Sequence, residues 1–191
     1  MSATLIDVRK ITYSEFRQME FDDNDPYIYE LINGILMKKS SPQPQPRHQR
    51  ISRKLLRLMD NFIQEKSLGE IFYSPIDVFL DDENVPQPDL VFVSNARASI
   101  IDDRDGILGV PDLVVEIISP SSMRLDRVVK KELYEAFAVP EYWLIDPKND
   151  AIEVFAFQNG RYKSVAFAND LSEKIASTVL KGFEVTLLDI F

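Results

Sequence analysis

The sequence contains no cysteine and a single histidine, His48. The first absence removes disulfides, thiolate nucleophiles and cysteine zinc sites together. The second excludes a histidine-rich site for a transition metal. Any metal is therefore held mainly by carboxylates and carbonyls, the oxygen donors that suit magnesium or manganese. No apolar stretch approaches the roughly 18–20 residues of a membrane-crossing helix. The opening MSATLIDVRK has no basic region followed by an apolar one, so it does not read as a secretory leader. The expectation is a cytoplasmic protein with no membrane partner.

What is present fits one domain spanning 1–191. A chain of 191 residues, 45% hydrophobic and 28% charged, can bury a substantial core. Its net charge of −9 argues against a non-specific coat for nucleic acid, because such binding rests on neutralising phosphates. The charge is uneven, however. KKSSPQPQPRHQRISRKLLR, residues 38–57, holds seven Lys or Arg and no acid, leaving the remainder at −16, the difference between −9 and +7. A local basic surface can meet phosphates on an acidic molecule.

Along the chain, TYSEFRQME offers Ser14 as the cap of a short amphipathic helix. YIYELINGILMKK reads as two strands joined at Asn33-Gly34, a strong two-residue hairpin signal. SPQPQPR is too proline-rich for regular structure and reads as a loop within the domain. The clearest helix follows over 47–66, with Ile51, Leu55, Leu58, Met59, Phe62 and Ile63 at three- and four-residue steps and Gly69 placed to end it. Arg50, Lys54 and Arg57 occupy another face. EIFYSPIDVFL and PDLVFV read as strands around the acidic turn DDEN, and NARASIIDDRDGI as a looser connection. PDLVVEIIS has the continuous apolar run of a central strand. A helical period carries Leu125, Val129, Leu133 and Phe137, Pro140 ends it, and EYWLID is the next strand. Strand, helix, strand at this spacing is a βαβ crossover, so the two strands should be parallel. AIEVFAFQ and RYKSVAFA form a second hairpin at Asn159-Gly160, and the tail reads as short strand-like pieces.

Glu116 is the most informative residue. It lies among Leu113, Val114, Val115, Ile117 and Ile118, where an unpaired carboxylate costs several kcal/mol or protonates. A metal, a positioned lysine, a buried ion pair or a strand end reaching water would each relieve that cost. Asp89 follows Pro88 at a strand entry, and Asp112 repeats the pattern after Pro111; both positions also suit ordinary turn residues. Asp112 and Glu116 share a strand face but lie about 13 Å apart, too far to share one metal. Asp126, Lys130 and Tyr134 share one helix face, which is equally what an exposed Asp–Lys pair would show. Tyr142 and Trp143 in EYWLID read as core residues.

The order of these pieces, a helix, an antiparallel pair ending on Asp89, a strand with Glu116, a helix and EYWLID, resembles the αβββαβ core of the PD-(D/E)XK nuclease superfamily. PDLVVEIISPSS, DRVVKKELY and VPEYWLIDP, with YELINGIL, His48 and QPDLVFV, are similar to a large family of putative restriction endonucleases abundant in photosynthetic bacteria. The resemblance implies an α/β (α+β) fold of the restriction endonuclease-like kind, with a mixed sheet and added N- and C-terminal β-hairpins. It implies a metal-dependent endonuclease acting on DNA, and a homodimer, because many relatives cut both strands that way. Asp89 and Glu116 would ligate Mg2+ or Mn2+ with the Ile117 carbonyl. The usual motif lysine would stand at Ile118; here Lys130 on the following helix takes its place, with Lys131 next in line. Glu30 would add a carboxylate, His48 would touch substrate or cap its helix, and Arg50, Lys54 and Arg57 would hold the nucleic-acid backbone or simply face solvent. The competing reading is a catalytically inactive binding or regulatory module of the same fold. A third makes Glu116 and Lys130 only a buried ion pair.

Overall fold

The computed structural model describes residues 9–20, 27, 29–38, 45–120 and 122–191. The elements in chain order are α1 (Tyr13–Arg17), β1 (Tyr29–Ile32), β2 (Ile35–Lys38), α2 (Pro46–Lys66), β3 (Gly69–Tyr73), β4 (Val78–Phe79) and β5 (Leu90–Ser94). A 3₁₀ turn (Asn95–Ile100) leads to β6 (Ile101–Asp102), β7 (Gly106–Leu108) and β8 (Leu113–Ile117). A π-helical segment (Leu125–Lys130) runs directly into α3 (Lys131–Ala136). The chain ends with β9 (Glu141–Asp146), β10 (Ala151–Gln158), β11 (Arg161–Ala168), β12 (Lys174–Ala176), β13 (Glu184–Thr186) and α4 (Leu187–Ile190). Among the described residues no helix is long and apolar enough to cross a membrane.

A six-stranded mixed sheet in the order β11-β10-β9-β8-β5-β3 organises these pieces. β3, β5 and β8 are antiparallel neighbours, and β8 and β9 are parallel, as the crossover requires. Strand alternation separates two cores. Leu113, Val115 and Ile117 of β8, with Trp143 and Ile145 of β9, pack against Ile51, Leu55, Met59 and Ile63 of α2 and the C-terminal residues Phe183, Leu187 and Ile190. Val114 and Ile118, with Tyr142 and Leu144, face the crossover helix at Tyr134. Each such buried aliphatic side chain contributes about 1.5–3 kcal/mol. The predicted stripe of Leu125, Val129, Leu133 and Phe137 packs on Ile32, Met37 and Leu80, which seats the first hairpin on that helix.

Both Asn-Gly turns form as expected, with φ of 55° and 73° at Asn33 and Gly34 and 54° and 80° at Asn159 and Gly160. Several local expectations are corrected. Thr12, not Ser14, caps α1, in a reciprocal capping box with Glu15. Ser67 takes the left-handed position ending α2, at φ 52°. Gly69 serves another purpose: a Cβ there would lie 2.2 Å from the Val93 carbonyl oxygen, so β3 can approach β5 only without a side chain. Pro46 and Arg47 belong to α2, Pro46 being at the helix start where a missing N–H costs nothing; residues 41–44 of the proline-rich loop lie outside the described residues. EIFYSPIDVFL splits in two, and β4 leaves the main sheet to pair in parallel with β7. The tail closes on a short helix, α4, rather than a strand.

Candidate active site

Alternation along β8 turns Glu116 away from α2 and toward the crossover helix. One step beyond the register pair Leu90↔Val115, Asp89 comes opposite Glu116 at the mouth of β5. Asp89 is tied down there: its amide donates to the Val115 carbonyl at 3.1 Å, its Oδ2 accepts the Ile117 amide at 2.7 Å, and His48 Nε2 lies 3.3 Å from the same oxygen. His48 reaches it because it is on the sheet-facing side of the first turn of α2.

The crossover helix supplies the cation. Lys130 is completely buried, and its Nζ donates to Glu116 Oε1 and to Glu30 Oε1, each at 2.8 Å. Tyr134 Oη donates to the same Glu116 oxygen at 2.8 Å. Burial, reinforced by the negative charges of Glu116 and Glu30, raises the Tyr134 phenol well above its ordinary value, so it remains a donor. Glu30 enters from β1: Leu31 packs outward on Ile11, Leu36 and Val85, so its neighbour Glu30 points to the other side. The Gln87 backbone N–H also donates to Glu30 Oε1, at 3.0 Å.

The structure thus brings Asp89, Glu116, Lys130, Glu30, Tyr134 and His48 to one place and separates others from it. Lys131 turns outward and rests its ammonium 4.0 Å from the centre of the Phe155 ring. Asp112, at the opposite end of β8, accepts the Ser94 amide and lies 3.4 Å from Arg97 Nε. Asp126 is buried one turn before Lys130. Arg50, Lys54 and Arg57 sit on the face of α2 turned away from the sheet, together with Arg53; Arg53, Lys54 and Arg57 line an open groove of about 480 Å³. Sequence reasoning missed Gln87, which reaches Glu30 through its backbone N–H while its side chain donates to Asp77, so its residue type gave no signal.

Family comparison decides the frame for this geometry: the model of the family described as "Uma2: Putative restriction endonuclease" matches residues 13–189. The chain belongs to the Uma2 family. Its structure is similar to that of a putative nuclease belonging to DUF820 from Anabaena variabilis, with 18% sequence identity, a TM-score of 0.74, and coverage of 95% of this chain and 97% of that one. No curated protein matches. This Uma2 chain has a restriction endonuclease-like fold and belongs to a nuclease family. Among its described residues no group of three or more Asp, Glu or His is arranged to cage a metal ion. Two facing carboxylates still fit magnesium, which is commonly held by one or two carboxylates with water and substrate phosphate completing its shell.

Proposed function

We propose that this Uma2 protein is a metal-dependent endonuclease that hydrolyses phosphodiester bonds in DNA, with Asp89, Glu116 and Lys130 as its catalytic residues. The observation that carries the reading is the convergence of Lys130, from the crossover helix, on Glu116, opposite Asp89. Asp89 and Glu116 would hold Mg2+ or Mn2+, with the Ile117 carbonyl beside them. A bound ion of this kind lowers the pKa of a water and screens the scissile phosphate. The chain's own part is positional. Tyr134 and Lys130 fix the Glu116 carboxylate through Oε1, while the Ile117 amide and His48 fix Asp89. Lys130 places a positive charge beside the reacting phosphate and orients the attacking water; Glu30 anchors that ammonium from its other side. Arg50, Lys54 and Arg57 would hold the DNA backbone, and two protomers would cut the two strands.

The test is Mg2+- or Mn2+-dependent nicking of plasmid DNA by the wild type and by Glu116→Gln. Loss of cleavage with the fold retained is expected; cleavage that persists in the variant removes the site assignment. One observation favours a second reading, in which Glu116 and Lys130 form only a structural ion pair in a catalytically inactive protein: the Lys130 ammonium already bridges two buried carboxylates. That reading expects no metal-dependent hydrolysis by the wild type and no metal binding by calorimetry.

A further inference from the structure

Residues 126, 130 and 134 are spaced by fours, and in an α-helix four residues overshoot a turn by about 40°. Two such steps would swing the third side chain about 80° away from the first. Here all three are turned inward, with exposures of 1%, 0% and 0% for Asp126, Lys130 and Tyr134. The reason is the winding. Leu125–Lys130 is a π-helix and Lys131–Ala136 is an α-helix. A π turn bonds i to i+5 and holds more than four residues. The step from 126 to 130 therefore falls short of a full turn, the step from 130 to 134 overshoots, and the two errors offset.

Something must favour the wider turn, which is rare and less well bonded than an α turn. Tyr142, fully buried as the second residue of β9, donates its hydroxyl to the Asp126 carbonyl at 3.0 Å. In an α-helix that carbonyl would be engaged by the Lys130 amide. The Tyr142 ring lies tilted against that of Tyr134, with centroids 5.3 Å apart. The Tyr142 phenol is raised well above its ordinary value by burial first and by the Glu116 and Asp126 charges next, so it stays a donor. We propose that Tyr142 is a positioning residue: its hydroxyl, on the Asp126 carbonyl, holds the crossover helix π-wound and thereby keeps Lys130 on Glu116 and Glu30. The use made of Lys130 rests on the nuclease reading; its placement does not.

Tyr142→Phe removes only the hydroxyl. Tyr162→Phe is its matched control, because Tyr162 also donates a buried hydroxyl to a backbone carbonyl, that of Val139, at the same 3.0 Å but outside the π segment. The whole protein is pulsed with acetic anhydride under native conditions, and Lys130 acetylation is followed by mass spectrometry against Lys131. Lys130 is expected to stay protected in the wild type and in Tyr162→Phe, and to label about tenfold faster in Tyr142→Phe, as loss of one buried hydrogen bond favours local opening. On DNA, Tyr142→Phe should lower kcat about tenfold with KM within about twofold, while Tyr162→Phe changes neither. Protection unchanged in Tyr142→Phe, or equal deprotection in both variants, overturns the proposal. A wild type without nuclease activity would sink the nuclease reading alone and leave the labelling contrast standing.

Discussion

Two glutamates in neighbouring parallel strands, both completely buried, are treated in opposite ways. Glu141, at the start of β9, faces the α2 side, where the Trp143 indole N–H and Ser177 hydroxyl donate to Oε1, and the Thr178 amide and hydroxyl and the Val179 amide donate to Oε2. Five neutral donors fixed in the core spread the charge over both oxygens, and the carboxylate serves to bind the C-terminal segment to the sheet. Glu116, in β8, faces the other side and meets a lysine ammonium and a phenol, both on Oε1. A carboxylate held by an ammonium on a long side chain can share its charge with a second cation, whereas one locked by five neutral core donors is already committed. The difference teaches that burial of a carboxylate does not mark a site by itself; the character of its donors does.

The largest expected effects break this comparison in two directions. Glu116→Gln should reduce cleavage by about a thousandfold or more while leaving the melting temperature within a few degrees. Glu141→Gln turns an amide group toward donors, stranding at least one of them, and should cost about 3–5 kcal/mol, or roughly 6–20 °C in Tm, with cleavage per folded molecule little changed. Calorimetry and nicking assays on the two variants give the contrast directly; equal losses of Tm in both would dissolve it. Next in size, Lys130→Met removes the ammonium that Glu30 and Glu116 share and should destabilise by about 3–5 kcal/mol in urea unfolding. Adding Glu30→Gln to that variant removes one stranded charge and should recover about 1–2 kcal/mol. Additive losses would show that Lys130 does not bridge the two. Smaller again, Tyr134→Phe removes one donor to Glu116 and should lower metal affinity or activity about tenfold, read as a shift in the Mg2+ concentration for half-maximal nicking.

Much of the frame was legible because it follows from local rules. The Asn-Gly turns demand positive φ, the α2 stripe repeats with helical period, and the apolar run around Glu116 fits only a strand covered on both sides. Apart from the Thr12–Glu15 capping box, a local signal passed over in favour of Ser14, the misreadings share a cause: tertiary contact overrode a local signal. Gly69 looked like a helix stop, but the space beside Val93 required it, and Ser67 ended the helix instead. In the site, spacing put Asp126, Lys130 and Tyr134 on one face without saying whether that face was wet or buried; a π turn, which no residue pattern announced, decides it. Glu30 was reachable only through family resemblance, since nothing local distinguishes it from any glutamate beside a hairpin. Glu141 carried no warning, because four of its five donors are 36 to 38 residues away in a tail that reads as short strands.

Asp146, at the far end of β9 from Glu141, gives the finest test, because its donors are both charged and neutral. Burial pushes its carboxyl up, but the Asn149 side chain, the Lys148 amide and the Arg127 guanidinium together outweigh that and hold it below its ordinary value of 3.8. A carboxyl whose pKa is lower folded than unfolded contributes stability that is present above the unfolded value and is lost as pH falls through the folded one. Asp146→Asn should therefore lower Tm by only a few degrees at pH 7. The gap from the wild type should stay level down to about pH 4 and close below it. Were the gap to shrink already between pH 7 and pH 5, the carboxyl would have to titrate above its ordinary range, and Asp146 would belong with the carboxylates that burial dominates.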